Sequence, residues 1–191
     1  MTAARRRAAR RCAASATFGS FAALLLAACA IAPPRGEVGI DGIACAVPDA
    51  ALPTALHALA GVAVPAAAEG ASGHGGICRG RMYEVREPLE VHRLSDAARD
   101  SPLGPWWALR PPAGSREAYR ETYAICRTWN ALDIAVTCTL KPGTRVVIGP
   151  GQSADCAEQT YPKSPVQQLY LQADPRSGGP PVEGCRVRAF P

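Results

Sequence analysis

Asp133-Ile-Ala-Val-Thr-Cys-Thr-Leu140, Lys141-Pro-Gly-Thr144 and Arg145-Val-Val-Ile-Gly149 follow one another in the chain, and their reading decides the fold. Ile134, Val136, Cys138 and Leu140 alternate with Ala135, Thr137 and Thr139. Successive side chains of an extended backbone point to opposite sides, so this alternation predicts a strand with one buried face. Pro142 and Gly143 suit the two central positions of a type II turn, because proline presets φ and glycine accepts a positive φ without a Cβ clash. The spacing predicts a hairpin. Pro150-Gly-Gln-Ser153 and a loop bearing Cys156 then lead to a third strand, Val166-Gln-Gln-Leu-Tyr-Leu171. Its paired glutamines stand where a core strand would alternate apolar residues, and that irregularity is the best functional hint in the chain.

Downstream, the Pro- and Gly-rich loop 174–184 leads to Cys185-Arg-Val-Arg-Ala-Phe190, which reads as a last edge strand tied down by a disulfide. Upstream, Ser115 can cap a helix running to about Arg127, with Glu117 in its first turn where the helix dipole favours an acid. Tyr119, Tyr123 and Cys126 recur at helical spacing and should face the sheet. Gly104-Pro-Trp-Trp-Ala-Leu-Arg-Pro-Pro112 places two tryptophans on opposite faces of a strand, one for the core and one for a groove, although packing alone would also explain both. Met82–Val85 and Leu89–Leu94 read as strands separated at Glu87-Pro88. In the second, Leu89, Val91 and Arg93 share the inward face, and Glu90, His92 and Leu94 the other. An inward arginine is costly unless it is paired or faces a cleft that admits an anion; a strand-end arginine reaching solvent is the alternative.

The first 28 residues read as an export signal. Arg5, Arg6, Arg7, Arg10 and Arg11 form a basic start, and Phe18–Ala28 is apolar but too short for a comfortable membrane span. Leu26-Ala-Ala-Cys29 matches a bacterial lipoprotein signal in which Cys29 is lipidated, whereas Ala28-Cys-Ala30 also fits ordinary cleavage. The apolar run abuts the cysteine directly, which favours a lipid-anchored envelope protein over a periplasmic or secreted soluble one. Residues 29–76, rich in Ala, Pro and Gly, read as a tether, with one short helix possible over 49–64 and His57 on its surface. The compact domain is expected over 77–191.

The formal charge is +5, and the five arginines of the leader account for all of it. A chain without positive excess offers nothing to compensate phosphate backbones, which argues against a nucleic-acid partner. Apart from Cys12 and Cys29, the cysteines are Cys45, Cys78, Cys126, Cys138, Cys156 and Cys185. An even set in an exported chain favours disulfides, with the pairing open. There is no Cys-x-x-Cys, and His57, His74 and His92 lack ligand spacing, so no metal is expected. A Gly-x-Ser-x-Gly elbow and a phosphate-cradling Gly-x-x-x-x-Gly-Lys loop are also missing.

Taken in order, residues 89–171 present an arginine ending a strand (Leu89-Glu-Val-His-Arg93), Gly104-Pro-Trp-Trp-Ala-Leu-Arg-Pro111, a helix leading into Trp129-Asn130, the strand 134–140, and Gln168-Leu-Tyr-Leu171. This succession resembles the secreted NAD-consuming toxins of the ADP-ribosyltransferase fold, especially NAD glycohydrolases of the tuberculosis necrotizing toxin type. The resemblance implies a split antiparallel core gripping NAD, as substrate and not as cofactor. It implies that Arg93 holds the pyrophosphate through bidentate bonds and that Trp106 or Trp107 packs on nicotinamide or ribose. Gln168 would position the ribose or the attacking water, and Asn130 and Gln152 would be further substrate contacts. The glycine-rich approach to the family's glutamine is replaced by Lys163-Ser-Pro-Val166. The glutamate that completes transferase sites is missing, because Leu169 and Tyr170 follow Gln168. These departures weigh against protein ADP-ribosylation more than against NAD hydrolysis, and they leave open a non-catalytic envelope accessory or binding module with an unknown protein partner. The expected fold is α+β, a disulfide-bonded, mostly antiparallel sheet with one main helix.

Overall fold

The computed structural model describes residue 45 and residues 51–99, 101–173 and 180–191. The chain divides into Met1–Ala32 and Pro33–Pro191, and every described residue belongs to the second unit. The expected leader, Cys29 and the first part of the expected tether lie outside the described residues.

The described residues are α+β, a mostly antiparallel, disulfide-bonded sheet with one α-helix. In chain order come β1 (Leu56–Ala58), β2 (Arg81–Val85), β3 (Leu89–Ser95), β4 (Trp106–Ala108) and α1 (Arg116–Tyr123). Then follow β5 (Ile134–Leu140), β6 (Arg145–Gly151), β7 (Ala154–Asp155), β8 (Thr160–Tyr161), β9 (Ser164–Tyr170) and β10 (Val182–Ala189). Eight strands form one sheet in the order β1-β2-β6-β9-β4-β3-β5-β10, and β7 and β8 form a separate ribbon.

The turn at 141–144 has the expected conformation: Gly143 lies at φ +86°, and Thr144 N–H donates to Lys141 O at 3.1 Å. The hairpin does not form. β5 pairs with β3 and β10, whereas β6 pairs with β2 and β9. Four sheet positions separate the two strands, roughly 19 Å in a flat sheet at ~4.8 Å per strand. A β-turn holds its ends within about 7 Å. The sheet must therefore fold over on itself, and one buried cluster draws Val85, Val146, Ile148 and Leu169 from one half and Val91, Val136, Cys138 and Leu140 from the other. The joint between the halves is β4, which meets β3 through the pair His92↔Ala108. After Arg145, β6 is buried along its whole length, so it takes a central place between two neighbours.

Residues 51–76 depart from the expected helix and tether. Leu56–Ala58 pairs with β2 as an edge strand, Leu52 and Leu56 pack on the inter-sheet core, and Leu59 packs on a second cluster around Ile77. Leucines spaced for a helix serve equally well on a strand flanked by turns when a sheet edge is within reach. Ala66–Ala68 forms a 3₁₀ turn, Ala68 and Ile77 are fully buried, and Gly70 N–H donates to Ile77 O at 2.9 Å. The folded body thus starts upstream of residue 77. His57 is exposed.

Ser115 caps α1, accepting from Ala118 N–H at 3.2 Å. The helix stops at Tyr123, short of the expected Arg127, because Ala124 adopts a left-handed conformation at φ 50° and Ile125 N–H closes back on Arg120 O. Arg120, 6% exposed, then gathers the following segment: its guanidinium donates to the carbonyls of Ile125, Cys126, Asn130 and Ala131. A cation suits the end of a helix, where unpaired carbonyls concentrate negative charge.

Three disulfides join Cys45–Cys78, Cys126–Cys156 and Cys138–Cys185. The last staples the exposed edge strand β10 to β5. Such bridges fit an oxidising, extracytoplasmic location.

His92, expected on the outward face, is buried at 4% exposure. Its Nδ1 lies 3.0 Å from Thr137 Oγ1, and its Nε2 lies 3.5 Å from Glu90 Oε1, a carboxylate shared with Arg186 of β10. Burial holds the imidazole below its ordinary pKa, Glu90 pulling it up and Arg186 pushing it further down. The unfolded chain therefore binds a proton near pH 6.5 that the folded chain resists, so stability present above pH 6.5 is lost as pH falls below it. Melting temperatures from pH 7.5 to 5 should decline less steeply for His92→Gln than for the parent; parallel curves would show that His92 does not contribute.

Candidate functional site

β3, β4, β9, α1 and three loops surround a cavity of about 630 Å³, a size usual for small-molecule sites. Arg93, near the end of β3, projects into it with its guanidinium 5.6 Å from the Trp107 ring. Gly104 makes this possible, since a Cβ there would overlap the guanidinium. Arg93 Nε and Nη1 are buried and have no hydrogen-bond partner. Burial lowers the Arg93 pKa to about 10, the nearby Arg99 lowering it further and Tyr119 acting in the opposite direction. The side chain is therefore cationic at neutral pH, and among the described residues no carboxylate pairs with it. An anion entering the cavity would relieve that.

β4 supplies both tryptophans. Trp107 is 2% exposed and donates Nε1–H to Gly104 O at 2.7 Å, while Trp106 is half-buried, edge-on to Tyr170 at 4.9 Å. Both line the cavity. Antiparallel pairing of β4 with β9 sets Ala108 against Gln168, which brings the glutamine to the same wall. Gln168 is 5% exposed and donates Nε2–H to Tyr123 O at 3.1 Å. That bond anchors the Nε2 end of the carboxamide to the C-terminus of α1.

Arg93, Trp106, Trp107, Asn130 and Gln168 thus border one cavity. The Asn130 side chain is engaged in shaping the wall, its Oδ1 accepting from Leu132 N–H at 2.9 Å where Leu132 adopts φ 58°. Gln152 lies off the cavity. It is buried at 6% exposure, donates Nε2–H to Gly70 O at 3.1 Å and accepts from Ser153 N–H at 2.9 Å. It holds the loop 70–76, which lines the cavity.

Sequence reasoning missed Arg99, Trp129, Tyr119 and Tyr123 as cavity residues, and it missed the glycines of the 70–76 loop. Gly75 and Gly76 lie at φ +69° and +80°, and a Cβ on either would press on the ring of Trp129 or Trp106. The crowding of glycines between 70 and 76 was the available signal: Gly75 and Gly76 approach flat rings closely and Gly70 the carbonyl of Gly75. Burial raises the Tyr123 pKa to about 12 and pushes Tyr119 up as well, so both phenols stay protonated at neutral pH and can donate but not act as bases. Glu69, the one carboxylate among the described lining residues, accepts from Gly80 N–H at 2.7 Å. Among the described residues, no group of three or more His, Cys, Asp or Glu side chains could hold a metal ion.

The sequence matches no protein-family model and no curated protein sequence. It is similar to a chain in the solved structure of Tne2 in complex with Tni2, at 13% identity and a TM-score of 0.44, over 59% of this chain and 93% of that one. A likeness that distant carries no weight for the chemistry of the cavity.

Proposed function

We propose that the protein is an exported NAD-consuming toxin or effector-like domain, which cleaves the bond between nicotinamide and ribose. One observation carries this reading: Arg93, with two unpartnered nitrogens, and Gln168, anchored through Nε2, border a single cavity together with two indoles. The guanidinium suits the pyrophosphate, the indoles suit the flat nicotinamide and its ribose, and the carboxamide suits the reacting centre. The three disulfides support the exported part of the proposal. Lipid anchoring through Cys29 belongs to the same proposal, and labelled fatty-acid incorporation at Cys29 tests it.

In the proposed reaction the C1′–N bond breaks and its electron pair leaves with nicotinamide, which becomes neutral while the ribose takes the charge as an oxocarbenium ion. Water bonds to C1′ and releases a proton to solvent, giving ADP-ribose. A neutral leaving group needs no general acid, so the chemistry does not call for a protonated carboxyl group at the site. Positioning and oriented dipoles supply the acceleration, and the Gln168 carboxamide is the dipole assigned to the cation or the water. Mixing the purified disulfide-bonded protein with NAD should release nicotinamide. Gln168→Ala should lower kcat about 100-fold with circular dichroism unchanged; undiminished release would remove Gln168 from the mechanism.

A second reading has a specific observation behind it: Glu69, the one carboxylate among the described lining residues, is tied through Oε1 to Gly80 N–H, so the single acid of the wall already serves the fold. A non-catalytic module that binds anionic nucleotides would use the same cavity. It would bind ADP-ribose and release no nicotinamide.

A further inference from the structure

We propose that Trp129 forms a second subsite at the mouth of this cavity, stacking the adenine of a dinucleotide, so that the protein takes dinucleotides in preference to mononucleotides. The inference rests on the nucleotide reading above and names where the remote half of the substrate lies. Trp129 lines the cavity yet is 41% exposed, an indole left open to water. Its backbone is held from both sides: Trp129 N–H donates to Cys126 O at 3.0 Å, and Arg99 Nη2 donates to Trp129 O. The backbone beneath the ring is held, the six-membered edge of the ring packs on Gly75, and part of the indole stays uncovered.

That place is measured against the deeper indole. The six-membered ring of Trp129 abuts Gly75, and that of Trp106 abuts the next residue, Gly76. Consecutive Cα atoms are ~3.8 Å apart, so the two ring edges stand within about 12 Å of each other. Arg99, which holds the Trp129 carbonyl, also stands close enough to Arg93 for their charges to repel. A cation zone lined by Arg93 and Arg99 thus accompanies two separate flat apolar surfaces. The complementary ligand has two planar bases joined by an anionic bridge. An exposed indole stacks any base, because every base has a π-face, and removing such a platform weakens binding by roughly 5- to 150-fold.

The test uses the disulfide-bonded protein and Trp129→Ala, with Trp129→Phe as the conservative variant. For NAD, Trp129→Ala should raise KM at least tenfold and leave kcat unchanged. For nicotinamide mononucleotide, which lacks the adenylate, neither constant should move. Trp129→Phe should restore most of the NAD affinity. Equal shifts with both substrates, or an unchanged KM for NAD, would overturn the subsite. Calorimetry separates this result from the fate of the catalytic reading: AMP should bind the parent and bind Trp129→Ala at least tenfold more weakly, with ribose 5-phosphate affected by neither substitution. Failure of the parent to bind AMP overturns the subsite whatever the hydrolysis assay gives, whereas AMP binding without nicotinamide release keeps the subsite and overturns only the catalytic step.

Discussion

Arg93→Met is expected to weaken binding of ADP-ribose several hundred-fold and, at the same time, to raise the melting temperature. The two effects share one cause. Arg93 Nε and Nη1 are buried without partners, so the folded protein carries the desolvation penalty of a cation with only the Trp107 face, 5.6 Å away, to offset it. Replacing buried ionic groups such as pairs or triads by apolar side chains of similar volume is often neutral or stabilising by about 1–4 kcal/mol, and a cation without a counter-ion belongs to the stabilising end, while losing the indole contact costs about 1–2 kcal/mol. The balance is about 1 kcal/mol in favour of methionine, or roughly 3 °C for a domain of this size. On the ligand side, losing a desolvated charge contact costs about 2–5 kcal/mol, on the order of 30- to several thousand-fold. Gly104→Ala should weaken binding too while keeping the arginine, because its methyl would occupy the position of Nη1. Thermal melts and calorimetric titration with ADP-ribose read both quantities. A methionine variant that melts several degrees lower would show that the guanidinium is a structural element and not a site waiting for an anion.

Arg120→Met should be far more damaging to the fold, by about 3–5 kcal/mol, the range for stripping one partner from a buried charged network. Four carbonyls, of Ile125, Cys126, Asn130 and Ala131, accept from this one guanidinium. Cys126 O would keep its bond from Trp129 N–H, but the other three would lose this donor in a segment that is partly buried, and a buried acceptor without a partner costs about 1–3 kcal/mol. A drop of about 10 °C in the melting temperature follows. Arg120→Lys should recover little, since one ammonium cannot span carbonyls that a planar fork reaches from two nitrogens. Ala124, Ile125, Trp129, Asn130 and Leu132 all line the cavity, so ligand binding should fail along with stability, unlike in Arg93→Met. The Cys126–Cys156 bridge will keep part of the segment in place. A change below about 1 kcal/mol would mean that water replaces the guanidinium at these carbonyls.

The two arginines also show what a sequence can and cannot disclose. Arg93 is legible, because strand alternation places it on the same side as Val91, and an inward cation calls for a partner or a ligand. Arg120 is invisible by the same reasoning. It sits on a helix among charged residues, and nothing local reveals that the chain will turn back around it once Ala124 adopts its left-handed conformation.

The strand Ile134–Leu140, the conformation of the turn at Pro142-Gly143, the cap at Ser115 and the break at Glu87-Pro88 follow from the sequence by itself, because each depends on residues that are chain neighbours. Which strands pair was decided only in three dimensions. β5 and β6 adjoin through a tight turn yet hydrogen-bond elsewhere, since backbone ladders carry no address and the choice falls to whichever arrangement buries most apolar surface. For the same reason the glycines at 70–76 looked like a tether and became a cavity wall, their meaning residing in Trp106 and Trp129, dozens of residues away along the chain but in contact across the fold.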